Sequence, residues 1–419
     1  MNSSLRTVLR RTAVAAAASF GALVFLPSVA GAAFPGTNGS IVYQSTADGL
    51  SPCSPFTSSE LFQVAPTVAS PTPSQVDCNG HTDQHVFVSP DGSEVVFASN
   101  RGGGSGAFQL YTETLPPQGS APSSAGATDV SYPPNVGIDD YPSWAPASPG
   151  NQGTIIFQRT LPGGVPQLYT ENVNNPSSPA TPVFSTPTGF SDTEPVYDPS
   201  NANEILFVRQ ASGGPQQIFE YNLSTPATPP VNLSAADGDG SSNDSKPDFA
   251  PSPTGLPAVQ TVVFQSDRSS AGASGGPCAG TQLYTMSDQS GSAITPVFQV
   301  LSGGVPTGQQ ACPKVSGTNV ATENPVFSPD GHQIAYDEPG PSTQNVYTYD
   351  IDYSGDAGLM NTATDLTPNF ATDEAPNWAP VYPGASTPEA PQSILLPISG
   401  VAAIGGGVLI MRRRRRKVA

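Results

Sequence analysis

The sequence predicts an all-β fold: a six-bladed β-propeller closed by pairing of its N- and C-terminal strands, followed by one C-terminal transmembrane helix. Three observations lead there. The pattern D-x-x-P-x-aromatic-x-P recurs along the chain, the same short strands follow each copy, and the two ends of the array are complementary halves of one unit.

Four copies are complete: Asp139 to Pro146 (DDYPSWAP), Asp192 to Pro199 (DTEPVYDP), Asp244 to Pro251 (DSKPDFAP) and Asp373 to Pro380 (DEAPNWAP). Two are degraded. Asp83 to Pro90 (DQHVFVSP) has Val86 for the first proline, and Thr322 to Pro329 (TENPVFSP) has threonine for aspartate. The starts lie mostly a little over fifty residues apart, a spacing that signals a repeat architecture.

After each copy a turn rich in Pro, Asp, Gly, Ser or Asn leads to a β-branched run ending in an aromatic. The runs are Val95 to Phe97, Ile155 to Phe157, Ile205 to Phe207, Val262 to Phe264 and Ile334 to Tyr336. Ser-Pro-Asp-Gly suits a type I turn closing a hairpin. Third strands are expected at Leu110-Tyr111, Leu168-Tyr169, Ile218-Phe219, Leu283-Tyr284 and Val346-Tyr347. Weaker fourth strands are expected at 182–184, 231–233, 297–300 and 365–367. Four short antiparallel strands per unit make one propeller blade.

The chain enters at Asn38 to Tyr43, a second strand lacking its first, and Asp373 to Pro380 is a first strand with nothing after it. Joined, they form a sixth blade that latches the ring and leaves no open edge. These residues resemble the WD40-like repeats of the TolB family over about residues 38 to 380. The resemblance implies repeat type and fold. It also implies that the first strand of each blade lies nearest the central channel.

The flanks have a different character. Arg6, Arg10 and Arg11, the apolar run Ala13 to Leu26 and the Ala30-Gly31-Ala32 cleavage site read as a signal peptide over residues 1–32. The propeller is expected over 33–380, and a Pro/Ala/Ser/Thr-rich stalk over 381–392. Residues 393–411 form a transmembrane or sorting segment, just long enough to span a bilayer, and 412–419 a basic cytoplasmic tail. Leu396 to Gly400 (LPISG) is similar to a sortase motif, so wall attachment is the runner-up to a membrane anchor. The expected location is the cell surface of an exported protein.

The precursor carries a net charge of −18, but nine of its fifteen basic residues lie in the two ends. The body sets six basic residues against 33 acidic ones, which repels phosphate backbones and excludes nucleic acid as a partner. Four of those six, Arg101, Arg159, Arg209 and Arg268, follow the second-strand aromatic by two or four residues. A structural pairing with a nearby carboxylate or carbonyl is the expectation for them.

Cys53 and Cys278 fall between second and third strands, and Cys78 and Cys312 each precede the next blade. The repeat therefore predicts disulfides Cys53–Cys78 and Cys278–Cys312. The repeat aspartates Asp83, Asp139, Asp192, Asp244 and Asp373 are the candidate metal or ligand ring. With Asp140, Glu194, Glu323 and Glu374 beside them they could crowd one channel mouth and hold Ca²⁺ or a basic group. The competing expectation is that each caps its own turn. His81-x-Asp83-x-His85 could present a transition-metal face, and His332 sits in a turn.

No H-E-x-x-H helix or phosphate-binding glycine loop is present, and no catalytic residue is assigned. The expected function is a non-enzymatic binding or scaffold module, monomeric, taking a protein or glycan ligand at the propeller face. The alternative is a carbohydrate-active or metal-dependent enzyme at the channel mouth.

Overall fold

In the computed structural model, residues 34–381 are described apart from 47–57, 67–70, 103–106, 123–125, 132–136, 149, 236–239, 252–259, 269–277, 279, 290–292, 303–304, 316–317, 340–342, 352–362 and 369–370. The expected signal peptide, the expected stalk beyond residue 381 and the expected transmembrane segment fall outside the described residues. Within them there is no helix, and none long and apolar enough to cross a membrane.

Six four-stranded antiparallel sheets follow one another. Blade 1 begins at Asp83–Val88, blade 2 at Ile138–Trp144, blade 3 at Phe190–Asp198 and blade 4 at Asp244–Phe249. Blade 5 begins at Glu323–Phe327. Blade 6 pairs Asp373–Pro380 with Asn38–Ser45, in the order Asp373–Pro380, Asn38–Ser45, Glu60–Val64, Ser74–Gln75. The closing register matches Ile41 with Trp378 and Ser45 with Asp373, and Trp378 donates its indole N–H to the Gly39 carbonyl at 3.2 Å. A Cβ on Gly39 would meet the Ala379 carbonyl oxygen at 2.8 Å, so this approach needs glycine.

The third strands stand where expected, but one fourth strand does not. In blade 4 it is Thr295–Pro296 rather than 297–300. The residues after it instead start a separate hairpin, Gln299–Ser302 with Val305–Gln310, inserted before blade 5. Val297 still donates its N–H to the Leu283 carbonyl of the third strand at 3.0 Å, and Phe298 packs into the neighbouring blade. The Cys278–Cys312 disulfide forms as expected, with Cα atoms 5.2 Å apart, and ties this insertion to blade 4. Cys78 is disulfide-bonded; Cys53 lies outside the described residues.

Each blade builds its core on the same cross-strand aromatic pair from its second and third strands. The pairs are Phe97/Tyr111, Phe157/Tyr169, Phe207/Phe219, Phe264/Tyr284, Tyr336/Tyr347 and Tyr43/Phe62. Their ring centres lie 5.8–6.4 Å apart at 24–32°. Directly opposed aromatics of this kind stabilise a strand pair beyond the area they bury. The run that ends in an aromatic is thus the part of the repeat that fills the blade.

The first strand of every blade carries a register shift after the second residue of the repeat. In five blades it encloses the repeat's first proline, which has no N–H to give the ladder. Blade 1 keeps the bulge with Val86 in that place. The bulge turns the third residue of each repeat out of the sheet, toward the axis of the ring.

Candidate functional site

The bulge residues are His85, Tyr141, Glu194, Lys246, Asn324 and Ala375, one per blade at one repeat position. All six are left-handed, with φ between 48° and 53°, and they are the only non-glycine residues of positive φ among the described residues. Five of them precede proline, which itself disfavours helical backbone at that position. Such a conformation costs on the order of 1–3 kcal/mol per residue and persists only where its surroundings enforce it.

In five of the six the enforcement comes from the preceding blade. Gln44, Gln158 and Gln265 accept the backbone N–H of His85, Glu194 and Asn324 through their side-chain carbonyls, at 3.2, 3.2 and 2.8 Å. Asp337 accepts that of Ala375 at 3.2 Å. All four acceptors occupy one second-strand position, opposite the second residue of the repeat. In blades 1 and 3 that position holds Ala98 and Val208. There the next bulge finds another carboxylate: Tyr141 N–H is taken by Asp140 at 2.9 Å and Lys246 N–H by Glu194 at 2.7 Å.

Together the six bulges line an axial cavity of about 110 Å³, with Asp248 and Asn377 in its wall. One side is a continuous chain of contacts across four blades. Asp140 lies 2.6 Å from Nδ1 of His85, and the His85 ring stacks on Tyr141 at 3.7 Å. Lys246 Nζ lies 3.8 Å from the Tyr141 ring centre, 2.5 Å from its hydroxyl and 3.3 Å from Glu194. Burial pushes the Lys246 ammonium down, but Glu194 and Tyr141 outweigh it and leave the pKa above the ordinary value. Opposite, Asp248 accepts the Phe327 N–H at 2.8 Å and Asn377 accepts that of Val88 at 2.9 Å. Burial raises Asp248 to about 7. Among the lining residues no serine, threonine or cysteine offers a nucleophile.

The repeat aspartates stand elsewhere. None of Asp83, Asp139, Asp192, Asp244 or Asp373 lines the axial cavity, and each is buried inside its own blade. Arg159 and Arg209 hold Asp139 and Asp192 through two guanidinium nitrogens each, at 2.6–2.9 Å. Arg268 holds both oxygens of Asp244, and Arg101 bridges Asp83 and Asp77 at 2.8 Å. Asp373 takes the Ser45 hydroxyl. The expected arginine–carboxylate pairing is therefore present in four blades, and the five aspartates are not brought together. Of their expected neighbours, Glu194 and Asp140 reach the axis, the latter through His85.

The histidine pattern also separates: His81 is exposed, Asp83 is in the blade and His85 is axial. His332 is exposed in its turn. Among the described residues one carboxylate cluster remains, Glu60, Asp77 and Asp83, with oxygens within 4.8 Å of one another. Arg101 and Asn79 already donate into it, so a guanidinium stands where a hard cation would.

The buried acids make stability depend on pH. Burial, helped by Asp83, pushes Glu60 up to about 9. Burial, helped by the Glu204 carboxyl, pushes Glu220 up to about 9, and burial raises Asp248 and Asp337 to about 7. Each carboxyl holds its proton more tightly folded than unfolded. Its contribution is complete below the unfolded value near 4 and is lost as pH rises through 7 and then 9. The melting temperature is expected to fall by roughly 5 °C or more between pH 5 and pH 9; a flat or rising profile in calorimetry would contradict these burials.

No protein-family model and no curated protein matches the chain. Solved structures do. TolB from Acinetobacter baumannii superposes with a TM-score of 0.52 at 13% identity, over 82% of this chain and 67% of that one. A putative TolB from Agrobacterium tumefaciens gives 0.43 at 17% identity, over 70% and 83%. At such identities the likeness speaks for the fold alone. By blade count, strand order and superposition, the described body is a TolB-like six-bladed β-propeller.

Proposed function

We propose that this chain is a non-enzymatic binding module, exported and displayed at the cell surface, whose protein partner inserts a side chain or chain end into the axial cavity. The observation that carries this reading is the bulge ring. Six residues pay for a left-handed backbone that glycine would adopt freely, yet none is glycine. The backbone repeats while the side chains differ: imidazole, phenol, carboxylate, ammonium, carboxamide and methyl. A structural device needs no such variety, whereas recognition does.

Size favours a protein partner over a glycan. About 110 Å³ falls well short of the roughly 300–1,000 Å³ of pockets that enclose a whole small molecule, but admits one side chain. Export and anchoring rest on the basic and apolar pattern at each end of the sequence.

The test compares the full chain with His85→Ala and Lys246→Ala in binding of envelope proteins and of a glycan array. A protein ligand is expected to lose at least about tenfold in affinity in both variants, because both sit in the desolvated centre of the contact. The melting temperature of His85→Ala should stay within a few degrees of the parent, and Lys246→Ala, which leaves Glu194 without its cation, should melt lower but still cooperatively. A ligand that binds both variants undiminished, or one found only on the glycan array, would overturn the proposal.

A further inference from the structure

In four blades the aromatic pair is capped by the blade's own arginine. The Cζ atoms of Arg101, Arg159, Arg209 and Arg268 lie 5.0–5.5 Å from both ring centres of their pair, with the repeat aspartate as counter-ion. A guanidinium over aromatic faces, forked onto a carboxylate, is a favourable buried arrangement.

Blade 5 keeps the walls of this box and lacks its cation. Arg159 and Arg209 each stand two residues after their aromatic; two residues after Tyr336 stands Glu338. Where the other blades supply aspartate there is Thr322, which is buried and whose hydroxyl has no hydrogen-bond partner. Glu338 is buried as well. It accepts a hydrogen bond from the Tyr336 hydroxyl at 3.2 Å and has no ion-pair partner among the described residues.

Blade 3 shows what such a box contains when filled. There Phe184 packs against Phe207 at 5.4 Å and Tyr221 at 4.8 Å, and the Arg209 guanidinium lies 5.2–5.6 Å from Phe184, Phe207 and Phe219. In blade 5 Phe298 packs against Tyr336 at 5.4 Å and Tyr349 at 4.7 Å. In place of a guanidinium there is a cavity of about 320 Å³, lined by these rings, Tyr347 and Glu338. Its far wall is formed by Gln299, Ala311, the disulfide-bonded Cys312 and Pro313.

We propose that this cavity is a receptor site for an external guanidinium group, carried by a free guanidino compound or by an arginine of a partner protein. The incoming group takes the place over the Tyr336/Tyr347 pair that arginine fills in four other blades. Glu338 supplies the counter-charge from the second strand rather than the first. The carboxylate that has replaced an arginine then serves as half of an ion pair whose other half comes from outside. The site lies in blade 5, apart from the axial cavity, and does not depend on it.

The test is isothermal titration of the full chain with N-methylguanidinium, and with methylurea as the neutral shape match. Saturable binding of the cation and none of methylurea is expected. Glu338→Gln should weaken it by roughly tenfold or more, since a charged fork becomes a neutral contact. The double variant Thr322→Asp/Glu338→Arg writes the blade 2 pair into blade 5. It is expected to keep the parent's melting temperature and to abolish binding, because the box then carries its own cation. Equal binding of methylurea, or binding that survives in the double variant, would overturn the proposal. Free L-arginine and an arginine capped at both termini separate the sources. Tight binding of the free amino acid assigns a small guanidino compound, and a preference for the capped residue assigns a partner's side chain.

Discussion

Removing residues 373–419 is expected to unfold the propeller, whereas removing only 382–419 is expected to leave the melting temperature of the body unchanged. The strand Asp373–Pro380 is the innermost of blade 6 and pairs along its length with Asn38–Ser45. It also carries Trp378, among the largest fully buried side chains. Losing a buried tryptophan alone costs about 3–5 kcal/mol, a large part of the roughly 5–15 kcal/mol that holds a native domain together. The deletion further exposes Asn38–Ser45 as a bare edge and removes the wall on which Val88 rests through Asn377. Circular dichroism and limited proteolysis will read the outcome. A cooperative transition within about 5 °C of the full chain would show that the closing strand is dispensable.

Arg209→Ala should destabilise the body by about 3–5 kcal/mol in urea denaturation, because it strands the wholly buried Asp192 carboxylate without its counter-charge. The guanidinium also fills the box between Phe184, Phe207 and Phe219, so its loss opens a void as well. The double variant Asp192→Asn/Arg209→Met removes the charge from both sides and refills the box with an apolar chain. It should recover most of that loss. If the double variant is as unstable as the single, packing rather than the ion pair supports blade 3.

Several of these features could be read from the chain and others could not, for reasons visible in particular residues. The repeat of aspartate, proline and aromatic gave the blades because each of those residues answers a local demand. The proline breaks a ladder, the β-branched run fills a strand and the aromatic meets its partner opposite. The Arg159–Asp139 pair was within reach for the same reason, since both residues recur at fixed offsets. The axial ring was not. Strand alternation puts the first and third residues of each repeat on one face, so Asp139 and Tyr141 should point the same way. The bulge breaks that alternation and sends Tyr141 to the axis while Asp139 stays in the blade. The residue before the repeat's proline was the available signal, and it recurs in five blades.

The blade 5 cavity divides in the same manner. Threonine in place of aspartate, and the lack of an arginine after Tyr336, stand in the sequence for anyone to read. That the space stays open depends on how Phe298 packs against Tyr336 and Tyr349 and on the residues around Cys312 that wall it.

The residues in chain order carry the periodicity: six units, their strand order, the closure of the ring and the recurrence of its arginines. These follow from interactions between residues at fixed, repeated separations. Folding in three dimensions sets which side chains face the axis and where a cavity stays open. Both depend on a register shift and on packing between neighbouring blades, and neither is set by the separation of residues along the chain.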